Sequence, residues 1–105
     1  MVKQIETVAD FTAFLASAGD KLVVVVFTAV WCGPCRMIAP IFEELCKTHS
    51  DVFFCKVDVN DVADLSESCG IHAMPTFQFY KNKEKIEEFS GAEDAKLKAT
   101  IARLK

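Results

Sequence analysis

No apolar run in the 105-residue chain is longer than Leu22–Phe27, far short of the roughly 20 residues a membrane-spanning helix needs. The amino end, Val2-Lys3-Gln4-Ile5-Glu6, also lacks the apolar segment of a secretory signal. These absences predict a soluble protein of the cytoplasm with no membrane partner. Clustered Lys and Arg are missing too: the net charge is -3 with both signs interspersed, which argues against a nucleic-acid partner. No linker, internal repeat or low-complexity stretch is visible, so residues 1–105 read as one domain of a size that can bury a genuine core. Five cysteines, Cys32, Cys35, Cys46, Cys55 and Cys69, are an odd number in a chain large enough to fold without staples, which speaks against a secreted disulfide framework.

The hydrophobic pattern alternates between strands and helices. Val2–Glu6 reads as a short first strand, and Thr7-Val8-Ala9-Asp10 has the spacing of a helix-capping box. The helix that follows places Val8, Phe11 and Leu15 on one face, and Gly19 suits a left-handed end. A strand runs from Lys21 to Thr28 and is apolar without a break from Leu22 to Phe27, as in a strand covered on both faces. From Pro34 to His49, Met37, Ile38, Ile41, Phe42 and Leu45 recur at helical spacing, with a kink expected at Pro40. Val52–Asp58 is a strand, and Asp61–Cys69 a short helix ending at Gly70. Thr76–Tyr80 and Ile86–Phe89 alternate and read as a hairpin across Lys81–Lys85, and a last helix from Glu93 buries Leu97, Ile101 and Leu104. The order β-α-β-α-β-α-β-β-α implies an α/β fold, a mixed central sheet with helices on both faces. Function in such sheets gathers at the carboxyl ends of strands.

Just past such an end lies Trp31-Cys32-Gly33-Pro34-Cys35. A Cys-x-x-Cys pair admits three chemistries: half of a zinc site, a structural disulfide, or a pair cycling between dithiol and disulfide. Zinc wants a second closely spaced ligand pair, whereas Cys46, Cys55, Cys69, His49 and His72 are scattered, so no metal site is expected. A bridge closing so short a loop also removes little entropy from the unfolded chain. The redox reading explains more. At the amino end of a helix Cys32 would be stabilised as thiolate, making it the nucleophile, with Cys35, one turn on, the resolving thiol. Gly33 would allow the tight turn, and Pro34 fits a first helical turn that needs no N–H.

With Met74-Pro75-Thr76 following after an intervening strand and helix, Trp31–Cys35 resembles the thioredoxin family over essentially the whole chain. Val2–Glu6, Gly19–Leu22 and Phe89–Ala92 resemble its animal cytosolic members in particular. The resemblance implies a five-stranded mixed sheet with four helices and a protein-disulfide reductase. In that reaction Cys32 attacks a client disulfide and Cys35 displaces Cys32 from the mixed disulfide. No cofactor is bound, and an NADPH-dependent thioredoxin reductase restores the dithiol. Pro75 matches the family's cis-proline, and Trp31, Met74, Pro75, Thr76, Gly91 and Ala92 would line a shallow substrate groove. Cys69 matches a thiol that relatives oxidise or nitrosate, with core packing the equal alternative, whereas Cys46 and Cys55 read as buried small apolar residues rather than catalysts. Ala73 stands where animal members often carry a further cysteine, so a monomer is expected. Val26 replaces an aspartate that in the family lies buried beneath the cysteines and accepts the proton of the second one. Val26, with Gly33 and Pro34, thus becomes a redox-tuning position, and slower resolution is expected. Two rival functions remain on this reading: a redox-gated binding module with little turnover, and a disulfide oxidase or isomerase.

Overall fold

The computed structural model describes residues 1–105, arranged as β1 (Lys3–Ile5), α1 (Val8–Ser17), β2 (Val23–Thr28), α2 (Gly33–Thr48), β3 (Phe53–Asp58), α3 (Ala63–Ser68), β4 (Thr76–Lys81), β5 (Glu84–Ser90) and α4 (Asp94–Leu104). The strands form one mixed sheet in the order β1-β3-β2-β4-β5. β3 runs parallel to both β1 and β2, while β4 is antiparallel to β2 and to β5.

β2 is the centre of this sheet, and its alternating side chains divide the core in two. Val24 and Val26 face α2 and α4, packing with Ile38, Phe42, Leu97 and Ile101. Val23, Val25 and Phe27 face the other way, against Phe11 and Leu15 of α1 and Leu65 of α3. An apolar run without alternation therefore records burial on both faces, as expected for a central strand. β4, which pairs with β2, is equally enclosed from Thr76 to Tyr80. Gln78 is tolerated there because its amide donates to Glu88 Oε1 at 2.8 Å and its carbonyl accepts from Tyr80 Oη at 2.7 Å. No helix is long and apolar enough to cross a membrane.

Several local expectations change. Thr7 caps α1 through the Asp10 N–H, but the Asp10 carboxylate reaches back to Glu6 N rather than to Thr7. Val8 is exposed, because the inward face of α1 begins only at Phe11. Met37 also points to solvent, and Leu104 is only half-buried. The hairpin connection is shorter than its polar residues suggested: Lys81 pairs with Glu84, leaving Asn82 and Lys83 as a two-residue turn with φ of 53° and 69°. Both being left-handed is the signature of a primed turn, whose twist matches that of the strands.

A left-handed backbone costs an L-residue about 1–2 kcal/mol that glycine avoids. Lys83→Gly, at the second of these positions, should raise stability by up to about 1 kcal/mol, read as a higher urea midpoint at unchanged slope. An unchanged or lower midpoint would show that the turn is held by something other than its backbone geometry.

Candidate active site

The chain leaves the carboxyl end of β2 and turns through Ala29, Val30 and Trp31, with Cys32 N donating to Ala29 O at 3.2 Å. Cys32 is the N-cap of α2, with extended φ/ψ of -93° and 113°, and its Sγ accepts from Cys35 N at 3.2 Å. The sulfur thus takes the place of the serine or aspartate oxygen that usually satisfies the free N–H groups of a first turn. Those N–H groups and the helix dipole favour negative charge at that sulfur. Cys32 and Cys35 are joined as a disulfide, with Cα atoms 5.3 Å apart. Ala29 completes a small apolar cluster with the two cysteines, against which Val59 and Met74 pack. Cys32 is 6% exposed and Cys35 2%. Cys32 is therefore nearly covered, presenting only an edge.

The Met74-Pro75-Thr76 segment lies against this edge. Cys32 Sγ is 3.8 Å from Met74 O, and the Met74–Pro75 peptide is cis. Pro75 O accepts from Gly91 N at 2.9 Å, tying the loop to the end of β5, where Gly91 holds a φ of 106° that side chains rarely adopt. Thr76 is turned inward, its hydroxyl bonded to Ala73 O and Ser90 Oγ, so it anchors the loop rather than offering side-chain surface. Around Cys32 the exposed apolar surface consists of Val30, Trp31 and Met37. Ala92 lines a shallow cleft of about 180 Å³ with Met37, Ile38, Ile41 and Asp94. Arg36 Nη1 approaches Val30 O at 3.5 Å.

Of the expected tuning residues, Gly33 behaves differently from its sequence reading. Gly33 has no left-handed φ, and a Cβ there would meet open space, so the turn does not demand glycine. It is simply the first residue of the helix. Val26 is 6% exposed and packed in the α2-side core. It borders a cavity of about 50 Å³ together with Cys35, Phe42, Glu43 and Lys56. A larger cleft of about 250 Å³ reaches Cys35 from the same side, walled by Gln4, Thr28, Arg36, Lys56 and Asp58. In the sequence Asp58 stands only as the end of a strand, ahead of a short helix. Its Oδ1 does accept from Asn60 N at 2.8 Å and Asp61 N at 3.3 Å, but α3 is capped by Val62, without a side-chain bond. The signal for the proximity of residues 56 and 58 was the strand register, in which Val26 pairs with Lys56 and Thr28 with Asp58.

The remaining cysteines lie apart from this pair. Cys46 packs half-buried against the α2-side core, and burial pushes the enclosed Cys55 thiol well above its usual value. Burial also raises the Cys69 thiol, against hydrogen bonds from Tyr80 and Ser68 that pull it down. His72 is exposed, and nowhere do three His, Cys, Asp or Glu side chains converge as metal ligands.

The family model described as Thioredoxin matches residues 2–103. Thioredoxin of Gallus gallus is 54% identical over 104 residues, covering 99% of each chain, and thioredoxin of Ictalurus punctatus 58% identical over 103 residues, covering 96% of each. Among solved structures, Fasciola hepatica thioredoxin superposes with a TM-score of 0.97 at 41% identity, over 99% of this chain and 100% of that one.

Since nothing crowds position 33 and its backbone is helical, Gly33→Ala should stabilise the protein by about 0.4–1 kcal/mol, through the unfolded state. Thermal melts of the oxidised protein check this, and a lowered melting temperature would mean that the turn needs glycine after all.

Proposed function

The chain belongs to the thioredoxin family and is a thiol-disulfide oxidoreductase that reduces protein disulfides, and on that premise we propose the roles of its residues. Cys32 is the nucleophile that attacks the client disulfide, and Cys35 is the thiol that resolves the mixed disulfide, leaving the Cys32–Cys35 bridge. One observation carries this assignment: Cys32 Sγ sits at the N-cap of α2 and receives the Cys35 N–H, so the helix terminus stabilises its thiolate and no other cysteine lies at such a terminus. The edge of Cys32 beside Trp31, Met74, Pro75, Gly91 and Ala92 is the groove for an extended client segment, with Thr76 fixing the loop.

The same reading makes the chain a monomeric electron carrier of the cytoplasm. A thioredoxin reductase using NADPH returns it to the dithiol, and no cofactor need be held by this chain. Cys69 serves as a slow regulatory thiol at most, because burial keeps it protonated near neutral pH. Val26 tunes the reaction. A carboxylate at this buried position would stand among Ile38 and Phe42, so valine favours the fold while withholding a proton acceptor beneath Cys35.

Two outcomes are expected. Cys35→Ser accumulates client adducts at Cys32, whereas Cys32→Ser captures none; mass spectrometry locates the adducts, and capture through Cys46, Cys55 or Cys69 would reverse the assignment. Val26→Asp lowers stability by about 1–3 kcal/mol and raises reductase-coupled turnover of a protein disulfide at neutral pH. Equal turnover in the two proteins would remove Val26 from the tuning role.

A further inference from the structure

Resolution of the mixed disulfide requires Cys35 to give up a proton, and Cys35 is only 2% exposed, with Val26 on its core side. It lines the 250 Å³ cleft bounded by Thr28, Arg36, Lys56 and Asp58. A water needs only about 10–15 Å³ and polar partners, so a short chain of waters fits between these side chains. From this geometry, and resting on the roles assigned above to Cys32 and Cys35, we propose that Asp58 accepts the Cys35 proton through water in the cleft, in place of an acid at position 26.

The carboxylate of Asp58 is held for this task. Its Oδ1 is occupied by the Asn60 and Asp61 N–H groups, which fixes the group without using Oδ2. It is 8% exposed, and the register Thr28 to Asp58 sets it beside the last residue of β2, where the turn toward α2 begins. The charged groups facing Cys35 across the two cavities are Arg36 and Glu43 of α2 and Lys56 and Asp58 of β3. Lys56 and Arg36 take part in no ion pair and supply positive charge beside the forming thiolate. Glu43 is the other carboxylate, but it is exposed, has no hydrogen-bond anchor and borders only the 50 Å³ cavity.

In the step itself, the proton of Cys35 Sγ passes to a water that gives its own proton to Asp58. The Cys35 sulfur forms the bond to Cys32 Sγ as the Cys32–client S–S bond breaks. The client sulfur leaves with the electron pair and takes a proton from solvent, so the client is reduced and the cysteine pair oxidised. Asp58 then returns its proton to bulk water.

Asp58→Asn tests this with a sign that separates a base from a charge. Asparagine keeps an oxygen for the Asn60 and Asp61 N–H groups. If Asp58 acted only as a negative charge near Cys35, removing it would favour the thiolate and speed resolution. As the proton acceptor, its loss slows resolution tenfold or more at neutral pH. Rapid-quench mass spectrometry follows formation and decay of the Cys32 adduct with a protein disulfide in single turnover. Formation of the adduct at unchanged rate, slower decay in Asp58→Asn, unaltered decay in Glu43→Gln, and loss of the Asp58→Asn effect in a Val26→Asp background are expected. Decay that is unchanged or faster in Asp58→Asn, or slowed instead by Glu43→Gln, overturns the proposal, whereas no adduct at Cys32 would overturn the roles it rests on. The unsubstituted protein gives a second reading independent of folding: adduct decay slows in heavy water if the proton moves in the resolving step, and equal rates in the two solvents refute it.

Discussion

The closure of both faces of β2 is the constraint from which the rest follows. Val24 and Val26 are covered by α2 and α4, and Val23, Val25 and Phe27 by α1 and α3. A strand so enclosed must hand its chain to the surface abruptly, and it does so at Thr28, after which three residues lead to Cys32. Because α2 must lie on the sheet to cover Val24 and Val26, its amino end is brought to the carboxyl end of β2. The reactive sulfur therefore sits on a helix terminus as a consequence of core packing.

The same packing creates a conflict beneath the cysteines. Residues on the α2 face of the sheet alternate with those on the α1 face, so Val26 and Thr28 share a side with Phe54, Lys56 and Asp58 of the paired strand. That side is apolar toward the middle of the sheet and polar at its end. Cys35 stands at the boundary, touching the Val26 cavity on one side and the Lys56 and Asp58 cleft on the other. Apolar packing at position 26 serves the core, and the chemistry of Cys35 is left to the polar end.

The strand and helix order, the thiol pair and the segment beside it were all legible in sequence, because each rests on local spacing: period 3.6 for α1, α2 and α4, unbroken apolarity for β2, and two cysteines three residues apart. Misreadings arose where one residue's fate depends on a distant partner. Val8 and Met37 fit the helical pattern but lie at the rim of their faces, where no opposing element reaches them. Glu84 and Lys85 looked like loop because they are polar, yet polar residues are suited to an edge strand such as β5, whose outer side is unpaired. Gly33 looked necessary beside a disulfide, although helical backbone accepts any residue there.

By itself, then, the sequence determined the family, the α/β alternation and the identity of the thiol pair, since a Cys-Gly-Pro-Cys stretch at a strand-to-helix junction needs no distant residue to define its chemistry. Tertiary structure alone decided how covered Cys32 is, that Thr76 turns inward to Ser90, and that Lys56 and Asp58 reach the same cleft as Cys35. These depend on strand register and on helix placement between residues far apart in the chain, and such contacts are set by the total burial of the core, which no local pattern encodes.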